Sequence, residues 1–227
     1  MTLSELERRA ASKPPALRDL SDNLVFGEGP EDARFMLVGE APGEDEDLSG
    51  RPFVGRAGQL LDKILEAVGL SRDEVYITNV VKHRPPGNRT PTPAEVAASE
   101  GVLLEQIRLI QPQVIGTLGN VPTQYFLRTN EGITRLRGRW HDWHGIRVMP
   151  LFHPAYLLRN PSRERGGPKW LTWQDMQEVK RVLDSLPPRQ GNVVIDTADL
   201  ERAARTLHTA FGLDSTAAYS APLPERS

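Results

Sequence analysis

Four short apolar runs punctuate the chain, and each stops on a glycine, an amide or a histidine. "RFMLVG" (34–39), "EVYITNVV" (74–81), "QVIGTLG" (113–119) and "GIRVMPLFHP" (145–154) have the unbroken apolar character of strands buried on both faces. Between them the apolar residues fall at helical spacing. "AGQLLDKILEAVG" sets Leu60, Leu61, Ile64, Leu65 and Val68 on one face and closes on Gly69. "TPAEVAASEGVLLEQIRLIQP" opens with Thr92, Pro93 and a glutamate three residues after the threonine, the signature of a capped helix start. "NVPTQYFLR" predicts a short helix and "WLTWQDMQEVKRVLDSL" a closing one. A charged amphipathic helix, "MTLSELERRAASKPP", leads the chain, and a polar linker follows to about Phe26.

Strands alternating with helices predict an α/β fold: three layers, α/β/α, around a central, mostly parallel sheet of four strands. Ligands of such sheets bind beyond the carboxyl ends of the strands. The polar loops that open at Gly39, Asn79, Gly119 and His153 all lie at such ends, so they are expected to converge on one crevice. Residues 1–186 are read as one domain and 187–227 as a C-terminal extension. In that extension Leu200, Ala204, Leu207 and Phe211 form a stripe that predicts a helix over 198–211, and the small, polar end beyond it is expected to be disordered.

Composition adds exclusions. Of 227 residues 38% are hydrophobic and 26% charged, an ordinary globular mixture. No apolar run approaches the ~18 residues of a membrane span, and the leading helix lacks the apolar core of a signal peptide. A cytoplasmic monomer is expected. The chain has no cysteine, hence no disulfide and no thiolate metal site. The net charge of −2 conceals an asymmetry: residues 31–50 carry seven acids against one base, whereas residues 128–169 carry eight arginines and one lysine against three acids. Arginine forks match phosphate oxygens, so this second segment points to nucleic acid as much as to a solvated surface.

Several residues suggest chemistry. Phe53 stands alone in "GEAPGEDEDLSGRPFVGRAG"; it is either a core plug or a platform on which a flat ring stacks, with backbone N–H groups after Gly39 meeting an anion or a carbonyl. Asn79 ends a strand, where it is either a turn residue or a carboxamide reading the N3–H and O4 edge of uracil; flipped, the same amide suits cytosine, so discrimination requires neighbours that fix its orientation. In "FHPAYLLRNP", His153 precedes a proline and can donate to charge building on a departing base. Leu157 and Leu158, beside Arg159 and Asn160, have the composition of a wedge entering a base stack, or of a loop anchored by leucines. Neither a lysine-bearing phosphate loop nor GxGxxG is present, which argues against a nucleotide-binding enzyme of similar fold.

"GEAPGEDED", "PFVGRAGQLLD", "YITNVVKHRPPGNRTPT", "GITRLRGRWH" and "HPAYLLRNP", in this order from about Asn23 to Leu186, together resemble the family-four uracil-DNA glycosylases. The resemblance implies hydrolysis of the N-glycosidic bond of deoxyuridine in DNA, as a base-excision repair enzyme. It places Phe53 against uracil with Ala41 nearby, Asn79 at the base edge and His153 at O2, and it draws Glu40 and Glu46 into the catalytic set. Ala41 stands where family-one enzymes carry a water-activating aspartate, so a general base would be Glu40, Glu46 or none. Arg137, Arg139, Arg159 and Arg163 are the leading candidates for phosphate contact, with Arg84 and Arg89 after them. "LRGRWH" lacks the insertion of the relatives that trap DNA covalently. The other reading is a DNA-binding relative that recognises uracil or abasic sites without turnover.

The family resemblance also implies a four-iron–four-sulfur cluster on four cysteines. The corresponding positions here are Ser12, Pro15, His83 and Ser99, a set that cannot hold such a cluster. Neither cluster nor other metal is expected, and packing or hydrogen bonds are expected to take its place.

Overall fold

The structure, a computed structural model, describes residues 1–187. Five strands, β1 Phe35–Gly39, β2 Val75–Asn79, β3 Val114–Leu118, β4 His141–Trp143 and β5 Ile146–Leu151, form one sheet in the order β2-β1-β3-β5-β4. The helices are α1 Leu3–Ala10, α2 Glu44–Ser49, α3 Arg56–Ala67, α4 Pro93–Ile110, α5 Asn120–Leu127, α6 Ile133–Leu136, α7 Pro154–Arg159 and α8 Pro168–Ser185. None of the described helices is long and apolar enough to cross a membrane.

Side-chain alternation along the strands builds the three layers. Phe35, Leu37, Val75 and Ile77 enter one core with Leu61 and Leu65 of α3 and Met176 and Val179 of α8. Met36, Val38 and Tyr76 enter the other with Leu103, Leu104 and Ile107 of α4 and Phe126 of α5. Both faces are covered, so every residue of β1, β2 and β3 is buried. The helix starts follow the sequence: Thr92 accepts from the Glu95 amide while the Glu95 carboxylate accepts from the Thr92 amide, a capping box at α4.

Two expectations need correction. The sheet has a fifth strand, β4, antiparallel to β5. A two-residue turn, His144 and Gly145, with φ of 50° and 80°, joins them; positive φ at both positions is the hairpin geometry that suits strand twist. Three residues, one of them aspartate, are too short a run for periodicity to register. Second, "HPAYLLRNP" is not a loop: most of it is α7. The helix predicted over 198–211 and the disordered end beyond it lie outside the described residues.

β1 has β2 on one side and β3 on the other. The chain leaving β1 and the chain leaving β3 therefore diverge, and the carboxyl ends of these strands are where ligands of such sheets bind.

Candidate active site

β1 and β2 end side by side, with Gly39 paired to Asn79 in the parallel register. A Cβ at Gly39 would overlap Asn79 Oδ1 and lie 2.6 Å from Phe53 Cζ. The amide and the ring thus converge on one point, which only glycine leaves free. Asn79 is 2% exposed, and its Oδ1 is buried with no hydrogen-bond partner. An unpaired buried acceptor costs about 1–3 kcal/mol, so this atom calls for a physical reason.

Phe53 lies in the core and beside the strand ends. Its ring belongs to the core that contains Leu61 and Leu65, and it also faces Gly39. Its backbone is left-handed, φ 52°, which costs a bulky residue about 1–2 kcal/mol.

His153 follows β5 and caps α7. Its Nδ1 accepts the Ala155 amide at 3.1 Å, so the proton of the neutral ring sits on Nε2. Burial, with Arg159 adding to it, pushes its pKa down to about 4, and the neutral donor form persists at ordinary pH. The ring centroid lies 5.7 Å from that of Phe53, tilted by 36°. Gly119, which ends β3 at φ 93°, would bring a Cβ within 3.2 Å of the His153 Cβ. The four strand ends predicted to converge do so, around Gly39, Asn79, Gly119 and His153.

The two candidate carboxylates, Glu46 and Glu40, differ. Glu46 Oε1 accepts from the Val54 and Gly55 amides, both at 2.9 Å, and Oε2 accepts from the Gly43 amide at 3.1 Å. These three amides occupy it as a staple across the loop. Glu40, next after β1, is half-buried; burial raises its pKa, opposed by a hydrogen bond with Thr90. Ala41 is half-buried and packs on the α4-side core.

The predicted DNA contacts separate. Adjacent residues on a helix point about 100° apart; Leu157 is buried, 1% exposed, and Leu158 is the one left partly open. Arg139, Arg159 and Arg163 are exposed. Arg137 is not available: it forms a two-pronged ion pair with the buried carboxylate of Asp175 and lies over the Phe152 ring at 5.6 Å. Arg89 is likewise held by Glu95, at 2.8 and 2.6 Å, and Arg84 by Asn88 at 2.7 Å.

Two residues that the sequence reading passed over support Phe53 and Asn79. Lys82 is fully buried, and its Nζ donates to Thr78 Oγ1, the Asn79 carbonyl and Gln106 Oε1, each at 2.6 Å. Burial drives its pKa well below the usual lysine range. Arg72 holds the carbonyls of Pro52 and Phe53. Polar residues on a strand exit or in a helical turn look solvated in sequence; only their burial distinguishes them.

The four residues at cluster positions do not fit an iron–sulfur group. Ser12 and Pro15 are exposed, and proline offers no donor atom. His83 is buried with Nδ1 3.0 Å from the Asn23 carbonyl, and Ser99 Oγ is buried without a hydrogen-bond partner. Here the leading segment is attached by ordinary means. Leu3, Leu6, Leu17 and Leu20 enter the α4-side core, and backbone bonds run from Ser21 N to Arg84 O and from Val25 N to Lys82 O, at 2.9 and 2.8 Å.

Comparison with known proteins identifies relatives of the chain. A type-4 uracil-DNA glycosylase of Thermotoga maritima is 54% identical over 71% of this chain and 83% of its own length. A type-4 uracil-DNA glycosylase of Saccharolobus solfataricus is 42% identical over 78% of this chain and 84% of its own. A type-5 uracil-DNA glycosylase of Pyrobaculum aerophilum is 34% identical over 67% and 72%. Residues 26–177, which run from the segment beside β2 into α8, match the uracil DNA glycosylase superfamily as a whole. On that match and these identities, the chain belongs to the uracil DNA glycosylase superfamily.

Proposed function

We propose that the protein excises uracil from DNA, hydrolysing the N-glycosidic bond of deoxyuridine and leaving an abasic site. One observation carries this reading: the Phe53 ring and the unpartnered Asn79 Oδ1 meet at Gly39, with the His153 ring beside them. A pyrimidine swung out of the duplex stacks on Phe53. Asn79 Oδ1 accepts from uracil N3–H, and the amide NH2 donates to O4. Cytosine, with an acceptor at N3 and an amino group at C4, meets the wrong atom at each position.

Cleavage leaves a cation-like sugar and a uracil anion. Neutral His153, donating through Nε2 to O2, stabilises the anion as it forms, an interaction worth about 3 kcal/mol when it strengthens in the transition state. Glu40 is the carboxylate placed for the sugar or its attacking water, since Glu46 has the loop amides to hold. Leu158 fills the space of the displaced base, and Arg139, Arg159 and Arg163 meet phosphates. Residues 1–186 form the catalytic domain, and 187–227 are an extension of it. The enzyme works as a cytoplasmic monomer without an iron–sulfur cluster.

The test is incubation with a uracil-containing oligonucleotide, single- or double-stranded, then alkali. Strand scission at uracil, with no iron in the active protein, is expected. Tight binding without scission would favour a non-catalytic reader of uracil or abasic sites.

A further inference from the structure

Among the described residues Phe53 is the only apolar side chain with a left-handed backbone. A ring in that conformation keeps its position only if neighbouring backbone is held, and the neighbours on its carbonyl side are held by one guanidinium. Arg72, in the 3-10 turn Arg72–Glu74 that precedes β2, donates from Nη1 to the Phe53 carbonyl at 3.1 Å and from Nη2 to the Pro52 carbonyl. The same group reaches Asp62 of α3 through Nη1 at 2.9 Å and Glu28 through Nε at 2.7 Å. Glu28 in turn exchanges backbone hydrogen bonds with Ile77, at 2.9 and 2.8 Å, two residues before Asn79. One planar cation therefore ties the Phe53 backbone to α3 and to the segment paired with the strand that presents Asn79. Gly58 closes the other approach, since a Cβ there would overlap the Phe53 carbonyl.

We propose that Arg72 is a positioning residue for uracil excision: it fixes the Phe53 ring, through its backbone carbonyl, at the separation from Asn79 that one pyrimidine spans. The proposal rests on the reading of Phe53 as the stacking floor. Arginine suits this task because its fork offers five donors in fixed directions, and Arg72 sets them against two carbonyls and two carboxylates. A lysine keeps the charge opposite Glu28 and Asp62 but cannot span all four acceptors.

The experiment compares wild type, Arg72→Ala, Arg72→Lys, Phe53→Ala and the double variant Arg72→Ala/Phe53→Ala on a uracil-containing oligonucleotide, below the melting temperature of each. The readouts are kcat, KM and inhibition by free uracil. Displacing a reacting group by an ångström costs up to about 100-fold, so Arg72→Ala is expected to lower kcat/KM by about 10- to 100-fold. The inhibition constant for free uracil should rise with it, because the product stacks on the same ring. Phe53→Ala should lose more, and the double variant should lose no more than Phe53→Ala. Millimolar guanidinium should restore part of the Arg72→Ala loss and none of the Phe53→Ala loss.

A merely structural arginine would instead reduce the folded fraction, lowering kcat while KM and uracil inhibition stay unchanged. That result would overturn the proposal, as would losses that multiply in the double variant. If Arg72→Ala does not fold, Arg72→Lys decides: weakened uracil inhibition supports the proposal, and wild-type kinetics overturn it. A wild type that released no uracil, or a Phe53→Ala variant as active as wild type, would remove the reading of the floor itself. Unchanged kinetics in Arg72→Ala, with both of those controls behaving as expected, would remove only the role of Arg72.

Discussion

Asn79 and His83 are four residues apart on one stretch of chain, both are buried at 2% exposure, and they have opposite fates. Asn79 leaves an acceptor unsatisfied at the strand ends. His83 spends its Nδ1 on the Asn23 carbonyl, and the backbone on either side of it is bonded to residues 21 and 25. Between them Lys82 satisfies three acceptors at once, including the carbonyl of Asn79 itself. The difference teaches how to read buried polarity. Where every donor and acceptor is matched, the group is scaffold. Where one is left open beside a strained aromatic and a neutral histidine, as at Asn79, it is the acceptor that the proposed uracil N3–H would meet.

Variants on the two sides of this contrast should separate activity from stability. His153→Ala should show the largest effect, about 10²- to 10³-fold in kcat on uracil-DNA in fully folded protein, well beyond the roughly 1 kcal/mol of stability lost with the α7 cap, because a donor to the departing oxygen acts in the transition state. Normal turnover in that variant would erase the assigned role. Asn79→Asp replaces the amide donor by a second carboxylate oxygen facing O4; it should cost about 2 kcal/mol in kcat/KM, close to 30-fold, and is measured in the same assay.

On the scaffold side, His83→Ala should lower unfolding free energy by about 2 kcal/mol in urea titration, from the lost hydrogen bond and the cavity. Its kcat/KM should stay within about threefold of wild type if the group contributes only folding energy. A fully folded His83→Ala enzyme with turnover lost would break the comparison.

Acid sharpens it further. Burial, reinforced by Arg159, lowers His153 to about 4 from the ordinary 6.5, so the unfolded chain takes up a proton before the native one does. The stability tied to the neutral ring is complete above pH 6.5 and is lost as pH falls from there toward about 4. Uracil excision should hold its rate below pH 6.5 and fall only on approach to pH 4, where the ring gains its proton. An inflection in kcat near 6.5 that vanished in His153→Ala would contradict the assignment.

The smallest effect should come from the rim. Arg159→Ala should weaken DNA binding and reduce the slope of log K against log salt by about 1, as one lost phosphate contact does. Arg137→Ala should instead lower stability, because it strands the buried Asp175.

The four parallel strands with α3, α4, α5 and α8 between and after them, the capped start of α4 and the convergence of the Gly39, Asn79, Gly119 and His153 loops were legible in the sequence, because periodicity and caps are local properties of the chain; the three-residue β4 and the six-residue α7 were too short to register. So was the lack of cluster ligands, which is a matter of residue identity alone. Arg137 and Leu157 were not: an arginine and a leucine have the same letters whether they meet solvent or an interior partner, and Asp175 lies 38 positions from Arg137. Arg72 and Lys82 read as solvated polar residues until the fold buried them against carbonyls of Phe53 and Asn79. Residue types and local pattern thus determined which chemistry was present and roughly where each strand would end. Only tertiary structure decided which polar groups were matched and which, Asn79 Oδ1 among them, were left open, because a hydrogen bond is spent in space, between segments that the sequence keeps far apart.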